Sequence, residues 1–80
     1  MNNAEFIGLH AECATAMRLY FVEAEITTTM LATCTAEPLP FTERMSLLAQ
    51  EVLETDAQTR YASAKRLLHA AARLGYGFSN

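Results

Sequence analysis

The sequence predicts an all-α fold, an antiparallel helical hairpin within a single domain spanning residues 1–80. Three observations predict it. The stretch over about residues 4–34 has no proline and holds only one glycine, Gly8. A Glu37-Pro38-Leu39-Pro40 connector follows, rigid enough to end one helix and short enough to favour an antiparallel neighbour. Apolar residues recur at spacings of three and four on both sides of that connector, and no segment alternates in the manner of a strand. The second arm is expected to break near Thr55, giving three helices. The hairpin is expected to dimerise into a four-helix-type bundle.

Composition agrees with this class. The 80 residues are 51% hydrophobic and 19% charged, too apolar for a disordered chain. Alanine, leucine, methionine and glutamate are abundant and favour helix. A domain this small buries a modest core, so reinforcement from a disulfide, a metal or association is the usual requirement.

The first helix is expected over about residues 4–34. Asn3 is placed to cap it, with Glu5 meeting the positive end of the helix dipole. One apolar side gathers Phe6, His10, Cys13, Ala14, Met17, Tyr20, Phe21, Ala24, Thr28 and Leu31, the spacing of a helix laid on a core. A second row, Leu19, Val22, Ile26 and Met30, lies roughly opposite the first. A two-helix monomer covers one stripe, and an uncovered stripe usually marks a partner surface.

Residues 35–41 form the connector. Thr42 is expected to cap a second helix over about residues 42–54, whose apolar face is Met45, Leu48, Ala49, Val52 and Leu53. A third helix is expected over about residues 56–74, on an apolar face that runs Leu53, Ala57, Tyr61, Ala64, Leu67, Leu68, Ala71 and Leu74. The two faces are offset by about one residue, roughly 100°, and Thr55-Asp56-Ala57-Gln58 reads as a capping box. Together these predict the break; one continuous helix is the rival reading. Gly75 suits the position just past the helix end, and residues 75–80 form a tail whose Phe78 is expected to tuck back.

Charge is asymmetric within a net charge of −3. Residues 1–40 carry five acids and a single base, Arg18, whereas residues 57–80 carry four bases and no acid. An antiparallel hairpin would bring Glu5 toward Arg73, Glu12 toward Lys65 or Arg66, and Arg18 toward Glu54 and Asp56. The N-terminus lacks the basic segment of a secretory signal, and Arg18, Glu23 and Glu25 interrupt the one apolar stretch suited to a membrane span. Cys13 and Cys34 sit 21 residues apart on the first helix, roughly 30 Å and beyond disulfide reach. The expected setting is therefore cytoplasmic, with free thiols and no membrane.

Candidate chemistry is sparse. His10 and Cys13 stand at i and i+3, where two ligands can meet a soft metal, but no CxxC or HExxH accompanies them. The carboxylate pairs Glu23/Glu25 and Glu51/Glu54 lack the Glu-x-x-His pattern of a di-iron bundle and read as a solvated polar face. Neither cysteine stands in a nucleophile signature with His10 or His69. No enzyme, cofactor or metal is expected. Lys65, Arg66, His69 and Arg73 share one side of the last helix, a face able to track a phosphate backbone, though the chain as a whole is acidic. The leading expectation is a small non-enzymatic interaction module, an adaptor, inhibitor or regulatory subunit. It acts through Leu19, Val22, Ile26 and Met30, as a homodimer or on a larger protein. Nucleic-acid binding through the basic face is the alternative.

Overall fold

In the computed structural model, which describes residues 2–35 and 37–75, the chain is two long helices packed on one another. Helix α1 spans Asn3–Thr33 and helix α2 spans Phe41–Arg73. The hairpin measures 59 × 16 × 15 Å. Its radius of gyration is 17.7 Å, against about 12 Å for a globular chain of this length.

The burial pattern defines the seam between the helices. In α1 and its cap, residues 6, 9, 13, 16, 20, 23, 27, 30 and 34 are buried or half-buried. In α2 the same holds for residues 47, 50, 54, 57, 61, 64, 68 and 71. Both series step by alternating threes and fours, the heptad spacing of an antiparallel coiled coil. Small residues occupy its deepest places, Ala16 at 0%, Ala71 at 2% and Ala64 at 6% exposure. Small side chains let two helices approach closely, since interaxial distance depends on the residues at the contact. Midway along, the Tyr20 and Tyr61 rings stack with centroids 6.2 Å apart.

This seam bears out part of the expected core and corrects the rest. Phe6, Cys13, Ala14, Met17, Tyr20 and Ala24 of α1 are half-buried, and Ala57, Tyr61, Ala64, Leu68 and Ala71 of α2 are half-buried or buried, as expected. Phe21 and Leu31 are instead 56% and 52% exposed, His10 and Thr28 face outward, and Leu67 and Leu74 are 59% and 74% exposed. Met30, expected on the outer row, turns half-buried into the seam. Glu23 and Glu54, expected on a solvated face, are half-buried seam residues. Tracking the largest apolar side chains missed part of the line, because Ala16, Thr27 and Gln50 occupy some of its most buried places.

Helix α2 is also corrected. It runs without a break past Thr55, so the described residues form two helices and not three. The seam series passes from Glu54 to Ala57 to Tyr61 in register, so the helix has no slip to absorb. The offset read from the sequence is real but lies outside the seam. Met45, Leu48 and Val52 are 49–60% exposed on the outer side of α2.

The helix ends are set locally. Asn2, one residue ahead of the expected Asn3, caps α1: its side chain accepts from the Glu5 backbone N–H at 2.8 Å. The cap of α2 is Pro40 with no side-chain bond, and Thr42 falls inside the first turn. Proline fits there because its fixed φ suits a helix start and its missing N–H would have gone unpaired. After Arg73 the chain leaves the helix through Gly75 at φ +87°, as the sequence predicts. Ala36 in the connector, and Tyr76 and Phe78 of the tail, lie outside the described residues.

Candidate interaction surface

Leu19, Val22 and Ile26 of α1 remain 43%, 52% and 41% exposed. They stand beside the seam, and Met30 bridges the two. A shallow concavity on this face is lined by Val22, Glu25, Ile26, Thr29 and Met30. Met30 also lines a second concavity at the turn end, together with Thr33, Cys34, Thr42, Glu43 and Ser46. The predicted residues therefore share one face, with Met30 its inner border.

Sequence reasoning missed that α2 contributes to this face. Arg60 donates to Glu12 Oε1 through Nη2 at 2.8 Å and Nε at 3.2 Å, which fixes one edge of the hairpin. One heptad further along each helix, on that same edge, come Leu19 and Leu53, the latter 54% exposed. The signal was available in the heptad phase of α2 once its seam is known. The opposite edge differs. There α2 presents Arg44, Glu51, Gln58 and Lys65, so Phe21 and Leu31 are bordered by polar and charged groups.

The basic residues occupy another side of α2. Lys65, Arg66, His69 and Arg73 are all exposed and line two shallow, adjoining depressions. The Lys65 ammonium lies 5.8 Å from the centre of the Tyr61 ring, and Arg66 donates to Ser63 Oγ at 3.4 Å. Among the described residues the Arg60–Glu12 pair is the salt bridge present, so the expected pairings of Glu12 with Lys65 or Arg66, of Glu5 with Arg73 and of Arg18 with the Glu54 region are not formed. The reason is rotational. Arg66 and Arg73 point away from α1, Lys65 lies on the edge opposite Glu12, and Arg18 lies on the side of α1 directly away from α2.

Cys13 and Cys34 are free and half-buried in the seam. Among the described residues no group of three or more histidine, cysteine, aspartate or glutamate side chains is arranged to hold a metal. No helix among them is long and apolar enough to cross a membrane. The chain matches no family model, no curated protein and no solved structure.

Proposed function

We propose that this hairpin is a small non-enzymatic protein–protein interaction module, acting as an adaptor, inhibitor or regulatory subunit through Leu19, Val22, Ile26 and Met30. One observation carries the reading: no large side chain of the described hairpin is fully buried, while three aliphatic side chains of α1 stand in a row at 41–52% exposure. Contiguous apolar surface of this kind is costly to leave in water and marks an association site. Docked helix on helix, such a face completes a four-helix-type bundle. Ile26→Glu places a charge at its centre. It is expected to keep the wild-type helix content by circular dichroism, to lower the sedimenting mass and to lose partner capture from host cells. A variant that sediments and captures as wild type does overturns the reading.

A second reading is supported by the basic face of α2. Lys65, Arg66 and Arg73 carry no carboxylate partner among the described residues, so their charge is available to an anionic chain. The corresponding function is a nucleic-acid-binding regulatory protein using Lys65, Arg66, His69 and Arg73. A gel-shift titration decides it: affinity that falls steeply with salt supports this reading, and no binding at low salt eliminates it.

A further inference from the structure

We propose that the occupant of the apolar face is a second copy of this chain, laid antiparallel with α1 on α1, so that Arg18 of each copy meets Glu25 of the other. The inference rests on the interaction reading above and gives it a partner and a register.

The first support is the spacing of the face itself. Thr15, Leu19, Val22, Ile26, Thr29 and Thr33 step by alternating fours and threes, a heptad series running beside the hairpin seam. None of the six carries a charge, and all six are exposed. A helix with two heptad seams is built to contact a neighbour along each. The hairpin uses one of them for α2.

The second support is charge. The outer border of this face carries Arg18 and Glu25, one of each sign and seven residues apart. An antiparallel copy that sets Leu19 beside the partner's Val22 also sets Arg18 beside the partner's Glu25. Two-fold symmetry repeats both contacts, as an isologous interface requires. A parallel, in-register copy would instead oppose Arg18 to Arg18 and Glu25 to Glu25. Within the chain these two residues are roughly 10 Å apart along the helix, and neither has a charged residue three or four positions away. Their charges are thus unmatched in the single hairpin and matched in the pair.

The third support is area. The chain exposes 5944 Å², whereas a globular protein of its mass exposes about 4,800 Å². A standard interface buries about 800 Å² per partner, most of that excess. Leu53 on the same edge extends the contact to α2, giving a bundle of four helices from two chains.

Charge exchange tests the register. In sedimentation equilibrium across a dilution series the wild type is expected to be a dimer. Arg18→Glu and Glu25→Arg each create two like-charge contacts, and each is expected to raise the dissociation constant about tenfold. The double exchange restores the opposition and is expected to return the constant to within about threefold of wild type. Circular dichroism checks that every variant keeps its helices. A dimer whose constant is unmoved by the single exchanges, or not restored by the double, overturns the register. A monomeric wild type overturns the second-copy assignment. The interaction reading falls separately, only if Ile26→Glu also leaves capture from host cells unchanged.

Discussion

Gln50 Nε2 donates to both the carboxylate and the main-chain carbonyl of Glu23, at 2.6 and 3.2 Å, across the centre of the hairpin. Thr27 Oγ1 donates to that same carbonyl at 3.0 Å. A polar side chain at a seam position fixes register, because any slip strands it without a partner. Here it does so in a seam whose buried apolar residues are alanines, where packing at the deepest points discriminates poorly between registers.

The bond predicts an asymmetry between single and paired replacement. Gln50→Leu leaves the half-buried Glu23 carboxylate without its donor and is expected to lower stability by about 1–2 kcal/mol in urea unfolding. Glu23→Leu with Gln50→Leu together should recover most or all of that loss, because two apolar groups leave nothing unsatisfied. A double variant no more stable than Gln50→Leu alone would refute this account of the pair.

Ala16, Ala64 and Ala71 set how closely the helices approach. Ala16→Leu inserts three carbons where exposure is 0%, and overpacking of this kind costs about 1–3 kcal/mol. The melting temperature should fall by about 4–8 °C per kcal/mol for a domain of this size. The same change at the exposed Ala11 serves as control and should have little effect. Equal melting temperatures for the two variants would rule out a close-packed alanine seam.

The helical class, the hairpin topology, the end of α1 and the exit at Gly75 were legible in the sequence because each rests on a local rule: periodicity, proline stiffness and glycine's tolerance of positive φ. The seam was legible only in part: Phe6, Cys13, Tyr20, Ala57, Tyr61, Ala64, Leu68 and Ala71 follow from the apolar spacing, and its centre does not. Reading by side-chain size gives weight to Phe21, Leu31, Met45 and Val52, all of which stand outside it, and passes over Ala16, Thr27 and Gln50, which are among its most buried points. What selects that line is the mutual fit of two helices, a property of the pair that neither helix carries alone. For the candidate face, the row of Leu19, Val22 and Ile26 was readable from α1 by itself. The contribution of Leu53 depends on the register of α2, which the Glu12–Arg60 pair makes visible.

That pair is expected to mark register more than to supply stability. Its side chains are about half exposed, at 53% for Arg60 and 50% for Glu12, so Arg60→Ala should cost no more than about 1 kcal/mol. The cost should shrink further in high salt, where screening weakens exposed charge pairs. A larger loss that persists in high salt would show that Arg60 acts through its packing rather than its charge.

Thr55 discriminates directly between a continuous and a broken second arm. In the continuous helix Thr55 is an exposed interior position. Alanine there relieves the χ1 restriction of a β-branched residue, and Thr55→Ala should stabilise the protein by up to about 0.7 kcal/mol. Were Thr55 the cap of a separate helix, the same change would remove a capping oxygen and cost about 1 kcal/mol. The two architectures therefore predict opposite signs for one substitution. Chemical denaturation of the wild type and Thr55→Ala, compared at equal slope, reads that sign. A shift of the midpoint to lower denaturant would contradict an unbroken Phe41–Arg73 helix.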